Sequence, residues 1–170
     1  MARRFALPLA LLLALSACEE GNIRVAGGDA APPFALKTIA GETVRFPEDL
    51  SGRAVVVRFW AAWCPYCEKE MKEIDPVAAR LAAEGLSVLA VNVGQDRASV
   101  EAFVERVAFR YPALLDEPAA TARRYGVKGL PTTFFVLPSG KVRSRLVGEA
   151  DAATFERLAR ELIAAGGGSR

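Results

Sequence analysis

Between Phe34 and Ala165 the apolar positions change period several times, and each change marks an element. FALKTIAGETVRF, Phe34 to Phe46, alternates on both sides of Ala40-Gly41 and predicts two short strands around a turn. RAVVVRFW, Arg53 to Trp60, is an unbroken β-branched run suited to a buried strand. From Pro65 to about Glu84 the period lengthens. Met71, Ile74, Val77, Ala78 and Leu81 recur at spacings of three and four and line one helix face, which Gly85 ends. LSVLAVNV, Leu86 to Val93, is a second buried strand. Asp96 or Ser99 opens a helix with Val100, Phe103, Val104 and Val107 inside. YPALLD predicts a short strand, and a helix follows near Ala119 to Tyr125. TTFFVL and KVRSRLVG bracket Pro138-Ser139-Gly140 as an antiparallel hairpin, and Asp151 caps a last helix to about Ala165.

Strands alternating with helices predict an α/β fold: a central mixed sheet, helices on both faces, and an extra β-hairpin at its N-terminal side. No internal repeat appears. The chain of 170 residues suits one such domain, over 33–165, with residues 166–170 (GGGSR) as a frayed tail.

The first residues follow another pattern. Arg3 and Arg4 precede an apolar run from Phe5 to Leu15, and small residues follow, as in a secretory signal peptide over 1–17. The run falls short of the ~20 apolar residues of a membrane span. Leu15-Ser16-Ala17-Cys18 resembles the bacterial lipobox. That resemblance implies that Cys18 is acylated and holds the protein on a membrane outside the cytoplasm. Residues 18–32, rich in Gly, Ala and acidic side chains and ending in a Pro pair, read as the tether.

Charge then narrows the function. Without Arg3 and Arg4 the 22 basic residues fall to 20, against 20 acidic ones. A chain so near neutrality offers no electrostatic case for nucleic acid, and no motif that reads it is present. The chain has no histidine. That excludes Ser-His and Cys-His catalytic pairs within it, and zinc or copper sites that need an imidazole.

The remaining chemistry sits in FWAAWCPYCEKE, Phe59 to Glu70. A CxxC pair can bind zinc, staple a fold or exchange disulfides. Zinc wants four ligands, and only two sulfurs remain once Cys18 is lipidated. A staple across so short a loop restricts the unfolded chain little. The redox reading needs the pair at a helix start behind a buried strand, which is where it lies. At a helix N-terminus, free N–H groups and the macrodipole stabilise the thiolate of an exposed Cys64. Pro65 suits the first helical position. Cys67, deeper in the helix, would attack the mixed disulfide and release product. Trp63 is expected to cover part of a substrate surface and Trp60 to pack inside.

FWAAWCPYC, with GLPTTF far downstream, resembles the thioredoxin superfamily, and within it the TlpA/ResA-like group of membrane-anchored thiol–disulfide reductases. The likeness spans Phe34 to Ala165 and includes LAVNVG and YGVKGLPTTFFVLPSGKV. The resemblance implies a cis peptide at Pro131, with the backbone of Leu130 offered to an extended substrate beside Trp63, Pro65 and Tyr66. It implies that Glu70 tunes the cysteine pair and handles protons. Arg58 departs from thioredoxin, which has a buried Asp at this strand position. The implied activity is reduction of cysteine pairs in exported proteins, such as apocytochrome c, with electrons from a membrane thiol carrier and no cofactor beyond the Cys64–Cys67 disulfide. A disulfide oxidase or isomerase is the alternative. A peroxiredoxin-type peroxidase wants a Thr where Ala61 stands, a copper carrier of this fold needs a histidine, and a purely structural module would not need both cysteines.

Overall fold

The computed structural model describes residues 25–167. Seven strands form one sheet in the order β2-β1-β5-β4-β3-β6-β7. They are β1 (Phe34–Thr38), β2 (Thr43–Phe46), β3 (Ala54–Trp60), β4 (Leu86–Val93), β5 (Ala113–Asp116), β6 (Thr132–Val136) and β7 (Val142–Val147). The helices are α1 (Cys67–Ala82), α2 (Arg97–Val107), α3 (Ala120–Arg124) and α4 (Ala152–Gly167). Strands β3, β4 and β5 run parallel; β6 and β1 flank them antiparallel, and β7 and β2 pair antiparallel with β6 and β1 in turn. The expected N-terminal hairpin is therefore not a separate appendage. It extends the sheet, with Lys37 and Thr38 paired to Leu115 and Leu114.

The two parallel crossovers, through α1 and α2, lie on the same side of the sheet. There α1 and α4 cover Ala54, Val56, Val88 and Phe135. Helix α2 joins them over Trp60, Ala90 and Met71. The opposite face buries Val55, Val57, Phe59, Leu89, Val91 and Phe134 under Ala122 and Tyr125. Strand alternation in β3 thus sends Val55, Val57 and Phe59 to one face and Val56, Arg58 and Trp60 to the other. Helices lie on both faces as expected, three against one short one.

Local chemistry explains the ends. Asp96 accepts from the Ser99 N–H at 2.9 Å and Asp151 from the Thr154 N–H at 2.7 Å, so Asp151 caps as predicted and, of the two candidates Asp96 and Ser99, Asp96 is the cap. Helix α1 tolerates Pro76 because that position faces solvent, where the freed Lys72 carbonyl can be hydrated. At the sheet edge, Gly28 donates to the Val142 carbonyl and Ala31 to that of Gly140, while Val142 donates back to Asp29, so residues 28–31, expected in the tether, instead cover the start of β7.

Candidate active site

β3 ends at Trp60, and the chain turns twice before α1. The Cys64 N–H donates to the Ala61 carbonyl at 3.1 Å and the Cys67 N–H to the Cys64 carbonyl at 3.2 Å. These turns bring the cysteines together as a disulfide with Cα atoms 5.4 Å apart. Helix α1 begins at Cys67 rather than Pro65, so Pro65 sits exposed in the preceding turn and not at the first helical position. Tyr66 supplies no side-chain cap, which leaves the first-turn N–H groups without a competing side-chain acceptor.

The structure corrects a second expectation. Cys64 is 3 % exposed, not open to solvent. Its sulfur, bonded to Cys67, is drawn into a cluster with Trp60 and Met71, and Leu130 packs against it. Exposure belongs to the rim instead. Trp63 is 68 % exposed, Tyr66 55 % and Val147 60 %, and they are the exposed large apolar side chains among the described residues. Trp63 and Tyr66 flank the cysteines in the chain. Val147 pairs with Thr132 beside Pro131, and the Gly148 N–H donates to the Pro131 carbonyl at 2.9 Å.

Pro131 follows Leu130 through a cis peptide bond. Because β6 runs antiparallel to β3, with Phe59 paired to Thr132, the start of β6 lies beside the end of β3 that carries the disulfide. A second cis bond, Phe46–Pro47, gave no sequence signal.

Beneath the disulfide lies a buried ion pair. Arg58 is fully buried and points from β3 towards α1. Its Nη1 donates to Glu70 Oε1 at 2.6 Å and to Thr133 Oγ1 at 3.0 Å. Nη2 lies 2.5 Å from Glu70 Oε2, so two guanidinium nitrogens face the two carboxylate oxygens. Glu70 is three residues past Cys67, on the same side of the helix. It also lines a cleft of about 320 Å³ with Lys69, Glu73, Glu149 and Asp151. Nearby, burial pushes the Tyr111 hydroxyl above its usual range, with Arg58 pulling the other way. The Tyr111 hydroxyl donates to the Met71 carbonyl at 3.3 Å.

Sequence reasoning passed over two residues that hold the turn. The Gln95 side-chain oxygen accepts from the Ala62 N–H at 2.6 Å and from Asn92 Nδ2 at 3.0 Å. Asn92 is the register partner of Trp60, which was the available signal: a polar residue at the end of an apolar strand run. Cys18 and the lipobox lie outside the described residues. Among the described residues no helix is long and apolar enough to cross a membrane, and no cluster of three or more His, Cys, Asp or Glu could hold a metal.

A disulfide between closely spaced cysteines at a helix start, beside a cis-proline and with exposed apolar side chains around it, is the equipment of a thiol–disulfide oxidoreductase. Comparison with known proteins agrees. The AhpC/TSA family model matches residues 27–145. The thiol-disulfide oxidoreductase ResA of Geobacillus thermodenitrificans (strain NG80-2) is 37 % identical over 124 residues, 73 % of this chain and 71 % of that one. ResA of Bacillus subtilis (strain 168) is 32 % identical over 127 residues, 75 % and 70 % of the two chains. A structure assigned to the thiol:disulfide interchange protein DsbE of Chlorobium tepidum superposes with a TM-score of 0.76 at 32 % identity, covering 82 % of this chain and 99 % of that one. The chain belongs to the AhpC/TSA family of the thioredoxin superfamily, among the ResA-type thiol–disulfide oxidoreductases.

Proposed function

We propose that this oxidoreductase works outside the cytoplasm, tethered through a lipidated Cys18, and acts mainly as a reductase of cysteine pairs in exported proteins. The observation that carries the reading is the Cys64–Cys67 disulfide set beside cis-Pro131 under an exposed rim of Trp63, Tyr66 and Val147. An extended substrate segment lies along Leu130 and Pro131 and covers the rim, with Pro65 at its edge. In the reduced enzyme the Cys64 thiolate attacks one sulfur of the substrate disulfide. A mixed disulfide forms and the second substrate sulfur leaves as a thiolate. Cys67 then gives up its proton and attacks Cys64, which re-forms the Cys64–Cys67 bond and releases the reduced substrate. Glu70, one turn beyond Cys67, tunes the charge beneath the pair. No further cofactor enters the cycle.

The lipobox supports the location, and an oxidising compartment requires an outside supply of electrons, for which a membrane thiol carrier is suited. An apocytochrome c, whose cysteines must be reduced before haem attachment, is a fitting substrate. The AhpC/TSA match brings a peroxidase into view, but the position three residues before Cys64 is Ala61, buried and without a hydroxyl.

The reduction potential of Cys64–Cys67 in a defined thiol buffer tests the reading. A value near about −270 mV supports a reductase, and a value near about −120 mV makes the protein a disulfide oxidant and removes the cytochrome reading.

A further inference from the structure

Arg58 is expensive for the fold. It occupies a fully buried position on β3, between Val56 and Trp60, that an apolar side chain could fill. Of the three guanidinium nitrogens, Nη1 and Nη2 face the two Glu70 oxygens and Nη1 also donates to Thr133, while Nε is buried without an acceptor. Burying a cation, even a paired one, costs more than burying a hydrocarbon of the same size. What this arrangement does is join three parts of the site. Its contacts run to Glu70 on the cysteine-bearing helix and to Thr133 on the strand that Pro131 opens.

The geometry bears on proton transfer. Side chains three residues apart on a helix lie about 5–6 Å apart at Cβ, so Glu70 is within reach of Cys67. To accept the Cys67 proton, Glu70 must turn an oxygen towards the sulfur. Both of its oxygens face Arg58, at 2.6 and 2.5 Å. Turning one away would strand part of a buried cation.

Building on the dithiol reading above, we infer that Arg58 is a positioning residue that withholds Glu70 from proton exchange with Cys67. The ion pair acts on the sulfurs as a fixed dipole. When Cys67 resolves a mixed disulfide, its S–H bond breaks, the Cys64–Cys67 bond forms and the Cys64–substrate bond breaks with its electron pair on the substrate sulfur. The proton follows that pair to the departing thiolate, directly or through water. The other charged or titratable groups around the pair are Lys69, Glu73 and Asp75 on α1, Glu149 and Asp151 ahead of α4, and Tyr111 ahead of β5. Among the described residues no carboxylate except Glu70 lies within ion-pair distance of Arg58. Lys69 is turned to Glu73 at 3.6 Å, and Asp151 is engaged with the Thr154 N–H.

The test is the reduction potential of the full chain measured from about pH 5 to about pH 9, where each redox-linked ionisation bends the curve. The proteins are wild type, Glu70→Gln, Arg58→Met, Arg58→Lys and Arg58→Met/Glu70→Gln. Wild type and Glu70→Gln are expected to show the same number of bends, displaced along the pH axis. Arg58→Met is expected to gain one bend, because a buried carboxyl without its cation takes up a proton near neutrality. The double variant should lose that bend again, and Arg58→Lys should never show it. A bend present in wild type and missing in Glu70→Gln overturns the inference, as does an Arg58→Met curve that matches wild type. If Arg58→Met does not fold, wild type against Glu70→Gln decides alone. Failure of the dithiol reading looks different: no protein disulfide is reduced by any variant, wild type included.

Discussion

Two carboxylates are buried to the same degree, Asp116 and Glu70, each 2 % exposed. Their counter-charges differ. Asp116, at the end of β5, accepts from the backbone N–H of Thr121 at 3.0 Å and of Ala122 at 2.8 Å, where α3 begins. Its charge is met by the helix end, and both oxygens are satisfied. Glu70 is met by a side-chain cation, two nitrogens of Arg58 lying against its two oxygens. Backbone donors are part of the scaffold and cannot be withdrawn without unwinding it. A guanidinium can be exchanged, weakened or lengthened by one substitution. The first carboxylate fastens a helix to a strand on the side away from the cysteines, and the second sits where charge affects sulfur.

The sharpest way to break the comparison is to remove the chemistry from one side only. Cys64→Ser is expected to lower disulfide reduction to the rate of the buffer thiol alone, while Cys67→Ser accumulates mixed disulfides, visible on non-reducing gels. Asp116→Ala should leave the reduction potential where it was. Next in size is Arg58→Met, which leaves Glu70 buried without its cation. It should cost about 3–5 kcal/mol in urea denaturation, with much of the loss recovered in Arg58→Met/Glu70→Gln. Asp116→Ala is expected to cost less, roughly 1–3 kcal/mol, since it orphans two N–H groups and no charge.

The smallest effect is on the surface. The backbone N–H groups of Ser99 and Thr154 hold Asp96 and Asp151 below the usual carboxylate range. A carboxylate whose value is lower folded than unfolded stabilises the fold above its unfolded value and loses that contribution as pH falls through the folded one. The melting temperature should therefore decline below about pH 4, and more gently in Asp151→Asn.

What was legible in the sequence depended on range. Elements with a strong local period, such as β4 over LSVLAVNV or the α1 face from Met71 to Leu81, form where the pattern predicts them. The caps at Asp96 and Asp151 are equally local. The cysteine pair and Pro131 were found because motif and family likeness carry them. Arg58–Glu70 was not legible as a pair. It joins residues twelve apart across a strand and a helix, and no periodicity reports which side chain will meet which. The burial of Cys64 was missed for a similar reason: the two turns after β3 rotate its sulfur inward, and a run of sequence does not encode that rotation. Gln95 reaches Ala62 across thirty-three residues, through the parallel pairing of β3 with β4. Joining of β1 to β5 likewise waits on the third dimension.

The covered margin of β7 has a consequence for how the protein lives among other proteins. A sheet has two raw edges, and an unpaired edge invites strands from neighbouring chains to aggregate on it. Here residues 28–31 sit along the start of β7, whose later positions carry Arg143 and Arg145. The other margin, β2, is four residues long and bears Arg45. With both margins blunted, the protein can leave Trp63, Tyr66 and Val147 bare without recruiting copies of itself edge to edge. A sticky working face is tolerable on a molecule whose flanks are inert.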